Sequence, residues 1–153
     1  ALKRDFELGL GSGTGGDDKA AAYEAKLTDR YRTRWLAWVR RCVDEEPGCV
    51  VVADAGSADD SEADSLFGYA FLLPESMAFV WDAAVLNELY VAPDRRGTGV
   101  ADALFDAVVA QAREQSLPLD RMVLDVDAEN DRAQAFYRRH GFESWGEMVA
   151  REL

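Results

Sequence analysis

The feature that most restricts the fold is a buried strand that runs through a basic, glycine-rich turn into an amphipathic helix. The strand is predicted over residues 84–91, and the turn follows Pro93. From Val100 onward, apolar residues recur every three or four positions, which predicts a helix with one buried face. A helix start preceded by glycines leaves backbone N–H groups unpaired at the positive end of the helix dipole. The segment therefore predicts a binding site for a phosphate or pyrophosphate.

Two common nucleotide motifs are not expected in this chain. The turn lacks the Lys and Ser/Thr that complete a P-loop. Gly11, Gly13 and Gly16 match the spacing of a dinucleotide fingerprint, but the segment lacks a convincing strand before it and an acidic residue ending a second strand after it. We interpret residues 9–16 as a flexible loop.

The rest of the chain predicts an α/β fold in one domain that spans residues 1–153. The length is typical of a single domain with one core. Strands alternate with helices only in the second half, which favours a mixed sheet over a doubly wound parallel one. The predicted elements are, in order, a short strand over 4–10, one long helix or two joined helices from 17 to the Pro-Gly stop at 47–48, a buried strand over 49–53, a hairpin loop over 54–65, strands over 67–73 and 84–91 with an unassigned segment over 76–81 between them, a helix from 100, a strand over 121–127, a helix over 131–140 and closing strands within 142–152.

The charge of the chain restricts its partners. A net charge of −12 argues against nucleic acid, whose phosphates require clustered Lys and Arg, and it favours cationic substrates. Lysine occurs only at Lys3, Lys19 and Lys26, and 14 Arg supply the other positive charges. The dense carboxylates suggest adaptation to a salt-rich cytoplasm, as in a halophile, although GC-rich coding DNA would give the same bias. Without a long apolar run or a signal-peptide pattern, the chain is expected to be cytoplasmic and to have no contact with a membrane.

The cysteines and the single histidine do not suggest a metal site. Cys42 and Cys49 have no second cysteine pair nearby, and His140 is the only histidine. This set fits neither a zinc site nor a disulfide framework. We expect both cysteines to be small core residues, and His140 to be exposed near a helix C-terminus.

Two motifs together resemble the GNAT superfamily of N-acetyltransferases. Arg96-Gly97-Thr98-Gly99-Val100-Ala101 fits the family's Arg/Gln-x-x-Gly-x-Gly/Ala motif and follows a strand that ends in Leu-Tyr-Val. Residues 130–142 have Asn, Ala, a Phe-Tyr pair and a final Gly-Phe at the spacings of the second motif. The resemblance covers residues 86–143. It implies a mixed, mostly antiparallel sheet that splays at an acetyl-coenzyme A site and is flanked by helices.

The resemblance also implies which residues hold the coenzyme. The backbone of Leu89, Tyr90 and Val91 would hydrogen-bond the pantetheine arm as an added strand does. Asn130 and Ala133 belong to the second motif, and the Asn130 side chain would contact the pantetheine. The pyrophosphate would be held by the backbone amides of Arg96, Gly97, Thr98, Gly99, Val100 and Ala101. In many relatives the counterpart of Arg96 has a partly structural side chain.

The implied reaction is direct attack of a primary amine on acetyl-coenzyme A, without a metal and without an acetyl-enzyme. A protonated amine has no lone pair, so a base must first remove a proton. Glu88 is the candidate base, with two alternatives: Asn87 holds a water there, or Glu88 only pairs with an Arg. Tyr137 would face the coenzyme sulfur as the general acid, unless it only packs. Asp125 and Asp127, at the end of the following strand, are either solvated acids or residues that bind the cationic amine.

Several points stay open at the level of the sequence. A non-catalytic module that binds or senses acyl-coenzyme A would keep the same cleft. The acceptor is either a small amine, such as a polyamine or aminoglycoside, or the N-terminus or a Lys of another protein. The acyl-chain preference and a homodimer formed by exchange of the last strands are also left open.

Overall fold

The computed structural model describes residues 1–56 and 66–151, so most of the predicted hairpin loop over 54–65 lies outside the described residues. Within the described residues the chain forms six α-helices and four strands. In chain order they are α1 (Leu2–Gly11), α2 (Gly16–Ala25), α3 (Asp29–Glu45), β1 (Val50–Asp54), β2 (Leu66–Leu72), α4 (Glu75–Ala78), β3 (Ala84–Val91), α5 (Val100–Ala112), β4 (Met122–Val123) and α6 (Asp131–Arg139), with short 3₁₀ turns at Pro47–Cys49 and Pro93–Arg95.

The sheet is mixed, as the sequence predicts, in the order β1-β2-β3-β4. The first three strands form an antiparallel meander. β4 is parallel to β3 and pairs with it only at Ala84 with Met122 and Val85 with Val123. Beyond those two pairs the strands separate, which confirms the expected splay.

Helix α5 packs across the sheet and forms the main core. Leu104, Phe105 and Val108 are buried on its inner face, against Leu72 and Leu86 of the sheet. Each large apolar side chain that is buried in this way stabilises the folded state by about 1.5–3 kcal/mol. This core fixes the position of β3 and of the turn that leads into α5.

A second core cluster joins α3 to the other face of β2. Cys42, Cys49 and Phe71 are fully buried there, and Trp38 packs on Phe71 with ring centroids 5.1 Å apart. Both cysteines are free thiols, and burial raises the pKa of Cys49 to about 11. The prediction that they are small core residues is confirmed.

The N-terminal helices correct the sequence interpretation. The predicted strand over 4–10 is wrong, because these residues belong to α1, where Lys3 and Glu7 pair one turn apart. Only Ser12 to Gly15 of the predicted loop separates α1 from α2. The predicted helix from 17 onward is two joined helices, and Thr28 caps the second by accepting a hydrogen bond from the Tyr31 backbone N–H.

The C-terminal part also differs from the predictions. The strand predicted over 121–127 shortens to β4, because the chain leaves the sheet where the splay begins. No strand forms over 142–151, so the predicted closing strands are wrong within the described residues. His140 is packed rather than exposed, with its ring centroid 4.3 Å from that of Phe105 and its Nε2 2.9 Å from an Asp102 oxygen.

Two smaller differences concern burial and the segment before β3. β1 is half-buried rather than buried. The unassigned segment over 76–81 contributes to the short helix α4. In the described part of the chain, no helix is long and apolar enough to cross a membrane.

Candidate active site

The separation of β3 from β4 opens a pocket of about 80 Å³. Phe6 and Leu10 of α1 lie across one side of it, and Leu86 forms part of the wall. Tyr90, Val91 and the glycine-rich turn do not line the pocket. The predicted site residues that line the pocket are Asn87, Glu88, Leu89, Asp125, Asp127, Asn130, Ala133 and Tyr137.

A bulge in β3 determines which side chain points inward. Phe71 pairs with Glu88 and the next residue, Leu72, pairs with Leu86, so Asn87 has no partner on β2. An extra residue of this kind re-aims the side chains next to it. Glu88 is only 4% exposed, whereas Asn87 is exposed.

Glu88 is a buried carboxylate with three hydrogen-bond donors. Lys3 Nζ lies 2.6 Å from Oε1, the Tyr69 hydroxyl donates to Oε2 at 2.6 Å, and Asn87 Nδ2 donates to Oε1 at 3.2 Å. Burial, together with the nearby Glu88 charge, raises the pKa of Tyr69, so its hydroxyl keeps its proton at neutral pH. A charge removed from water in this way requires such partners.

A second buried carboxylate, Glu7, shares Lys3 with Glu88. Lys3 Nζ is 2.6 Å from Glu7 Oε1, Lys26 Nζ is 2.5 Å from Oε2, and the Tyr31 hydroxyl donates to Oε1 at 2.6 Å. Burial alone would raise the pKa of Glu7, but hydrogen bonds from Lys26, Lys3 and Tyr31 lower it below its ordinary value. We call Lys3, Glu7, Lys26 and Glu88 the four-charge cluster; its two positive and two negative charges balance.

Sequence reasoning missed Lys3 and Glu7. Their four-residue spacing is a helical ion-pair signal, but the alternation of apolar residues with Asp5 and Glu7 resembles a strand. Because the chain has only three lysines, Lys3 could also have been singled out by its residue type.

Tyr137 lies on α6 and Asn130 is the N-cap of that helix, and both line the pocket together with residues of β3. Asn130 caps the helix, because its Oδ1 accepts the Ala133 backbone N–H at 3.1 Å. Burial raises the pKa of Tyr137 to about 12, so its hydroxyl is protonated at neutral pH. The pocket is therefore lined by both a carboxylate and a phenol that carries its proton.

The glycine-rich turn leaves its backbone open. Gly97 and Gly99 have φ of 75° and 88°, a region that favours glycine, and the space next to both is empty. Gly99 is the N-cap of α5, and no side chain caps that helix. Arg96 Nε donates to the Val91 carbonyl at 2.9 Å, so this side chain ties the turn to β3. The free N–H groups suit an anion such as a pyrophosphate.

The two acids on the β4 side differ in their surroundings. Asp127 accepts hydrogen bonds from the Thr14 backbone N–H and hydroxyl, and it pairs with Lys19 at 2.8 Å. These contacts, led by Lys19, hold the pKa of Asp127 far below its usual range. Asp127 therefore secures the turn between α1 and α2, while Asp125 stays exposed at the pocket.

A larger concavity of about 550 Å³ lies along α3. Its lining is aromatic and basic and includes Tyr31, Trp35 and Arg41, but no carboxylate. This concavity lacks an acid–base pair. The pocket at the splay is therefore the better candidate for chemistry.

Comparison with known proteins is consistent with this geometry. The model of the acetyltransferase (GNAT) family matches residues 17–142, so the whole of α1, including Lys3, lies outside the match. A search of curated proteins found no match.

Solved structures share the fold. A protein of Pyrococcus horikoshii is 16% identical with a TM-score of 0.61, and the alignment covers 97% of this chain and 85% of that one. An aminoglycoside 6'-N-acetyltransferase of Acinetobacter haemolyticus is 18% identical with a TM-score of 0.56, covering 85% and 86%. Ard1 of Thermoplasma volcanium is 26% identical with a TM-score of 0.53, covering 72% and 66%.

Proposed function

Because the chain belongs to the acetyltransferase (GNAT) family, we propose that it transfers an acetyl group from acetyl-coenzyme A to a primary amine. The observation that carries the proposal is Glu88, a buried carboxylate at the bulge of β3, inside the pocket at the splay and already in contact with an ammonium group. We also propose that residues 1–153 act as one domain, since α1 supplies Phe6 and Leu10 to a pocket that is otherwise lined by residues from β3 onward.

The residues fit the coenzyme in two regions. The open turn at Gly97 and Gly99 would receive the pyrophosphate, and Thr98, Val100 and Ala101 would contribute backbone amides with it. Beyond Val85, the side of β3 that faces β4 has no strand partner among the described residues. Leu89, Tyr90 and Val91 would pair there with the pantetheine amides.

When bound, the coenzyme supplies an acetyl thioester, and the residues of the chain manage the protons. Glu88 would accept a proton from the acceptor ammonium, which frees the lone pair for attack on the carbonyl carbon. Tyr137, which keeps its proton at neutral pH, would donate it to the departing sulfur. Asn130 would orient the pantetheine through its amide nitrogen, since its Oδ1 already caps α6. Asn87 and Asp125 would bind the acceptor at the open side.

The acceptor is proposed only as a class. The net charge of −12 favours an amine that arrives as a cation, whether a small polyamine or aminoglycoside or the N-terminus or a Lys of a peptide. A panel of such amines assayed by product mass would distinguish them.

Glu88→Gln tests the proposed base. The variant keeps the shape and the hydrogen bond from Tyr69, so coenzyme binding should be unchanged in a calorimetric titration, while kcat should fall about 100-fold. The acidic limb of the pH profile should also disappear. Full turnover with the wild-type pH profile would remove Glu88 from the mechanism. The matched control is Glu75→Gln, which alters an acid of α4 that is hydrogen-bonded to the Ser116 N–H and lies outside the pocket lining.

One contact favours a second candidate function, a non-catalytic module that binds acyl-coenzyme A. Lys3 holds the carboxylate that a catalyst would keep free, and α1 lies across the pocket. Tight binding of acetyl-coenzyme A without thiol release on any amine, and without acetylation of the chain itself, would support this alternative.

A further inference from the structure

Lys3 is positioned where an acceptor amine would sit, if Glu88 is the base as proposed above. Its Nζ is 2.6 Å from Glu88 Oε1, and its side chain is 17% exposed. The ammonium also lies over the rings of Phe6 and Trp35, at 4.9 and 5.1 Å from their centroids. Aromatic faces and carboxylates are what proteins use to hold a desolvated cation.

The distribution of lysine reinforces this position. The three lysines of the chain all lie in its first 26 residues, and each contacts an acid of the cleft region. Lys19 pairs with Asp127 and Lys26 with Glu7, and Lys3 alone reaches Glu88. The 14 Arg elsewhere show that positive charge alone does not require lysine in this chain. Unlike the guanidinium of arginine, the amine of lysine can lose its proton and act as a nucleophile.

We propose that Lys3 is itself an acceptor, and that the protein acetylates its own Lys3 within one chain. The inference rests on the proposed function, because it uses the same base and the same acetyl donor. It adds a covalent modification site to a helix that lies outside the region matched by the family model.

The proposed step balances. Glu88 accepts one proton from the Lys3 ammonium and later releases it to solvent. The freed Nζ forms a C–N bond with the acetyl carbonyl carbon of acetyl-coenzyme A, and the C–S bond of the thioester breaks. Tyr137 gives its proton to the departing sulfur, and a second proton from the nitrogen then passes to Tyr137. The products are acetylated Lys3 and free coenzyme A.

Acetylation would also change the docking of α1. It removes the positive charge that Glu7 and Glu88 share, so the four-charge cluster keeps two buried carboxylates and one cation. Buried charge without a partner is destabilising, so α1 is expected to detach and uncover the pocket. Cleavage by trypsin after the exposed Arg4 should then become faster.

The test is to incubate the wild-type chain with acetyl-coenzyme A and no other amine, and to follow intact mass and peptide maps. We expect one acetyl group per chain, on Lys3, at a rate per chain that does not change with protein concentration. Lys3→Arg should take up no acetyl group. Lys26→Arg, which keeps the charge beside Glu7, should be labelled as fast as the wild type. Glu88→Gln should slow labelling of Lys3 about 100-fold.

The outcomes separate this inference from the proposed function. If the wild type acetylates an added amine but Lys3 stays unmodified, the inference is overturned and the function stands. Acetyl groups spread equally over Lys3, Lys19 and Lys26, or a rate that rises with protein concentration, would also overturn it. If a calorimetric titration detects no binding of acetyl-coenzyme A, both fail.

Discussion

Replacing Lys3 with Met would leave two buried carboxylates with too little positive charge. Glu7 and Glu88 are 3% and 4% exposed, and Lys3 Nζ lies 2.6 Å from an oxygen of each. Removing one partner of a buried pair costs about 3–5 kcal/mol, and because Lys3 is partly exposed we take the lower end, about 3 kcal/mol. For a chain of this length, each kcal/mol lowers the Tm by roughly 2–4 °C. The variant should therefore melt about 6–12 °C below the wild type.

The assay is thermal and urea unfolding near neutral pH, with Lys26→Met as the matched control. Lys26 pairs with Glu7 alone and is 36% exposed, so its loss should cost about 1 kcal/mol or less. Burial protects the ion pairs of Lys3 from screening by salt. The difference in stability between the two variants should therefore persist in about 1 M KCl. Glu88→Gln added to Lys3→Met should recover part of the loss, because it removes one of the unpaired charges.

Acid gives a further check through Glu7. Burial opposes its ionisation, but hydrogen bonds from Lys26, Lys3 and Tyr31 lower its pKa below the unfolded value. The stability that Glu7 contributes is therefore present above its unfolded pKa and is lost as the pH falls through its folded pKa. The difference in the free energy of unfolding between the wild type and Lys3→Met should thus become smaller below about pH 4. Equal losses for both lysine variants, or a difference that does not become smaller in acid, would refute the reasoning.

Three other predictions concern separate elements. Tyr137→Phe should lower kcat about tenfold while coenzyme binding is kept, and wild-type turnover would reduce Tyr137 to packing. Gly99→Ala should cost about 1–2 kcal/mol, because φ is 88° there, and should weaken coenzyme A binding in a calorimetric titration; Gly146→Ala, outside the turn, is the control. Thr28→Ala should lower the free energy of unfolding by about 1 kcal/mol, measured in urea, because α3 loses its cap, whereas Thr28→Ser should keep it.

The parts of the fold with strong local patterns were predictable. The strand over 84–91 and the helix from 100 were correct because their apolar residues follow the period of the element. α1 was not predictable in this way. Its charged residue Glu7 contacts Lys26 and Tyr31, which lie far along the chain, and no local pattern predicts such contacts.

The sequence indicated many of the residues that line the candidate site, but not the contacts between them. Residues 87–89 and 125–137 lie around one pocket because the strand order brings the two segments together. Whether Glu88 or Asn87 faces inward depends on a bulge, and a bulge is set by pairing with β2. The contact of Lys3 with Glu88 joins residues 85 positions apart, which no local pattern encodes.

The two-pair ladder between β3 and β4 also bears on how the protein avoids aggregation. An open strand edge is a template for pairing with another chain, and proteins commonly protect such edges with charges or with a covering helix. Here α1 lies over the opening through Phe6 and Leu10, and Asp125 stands exposed beside it. We therefore expect these residues to protect the open edge of β3 from pairing with a strand of another chain. A ligand seated along β3 would give the same protection, and it would raise the Tm by mass action.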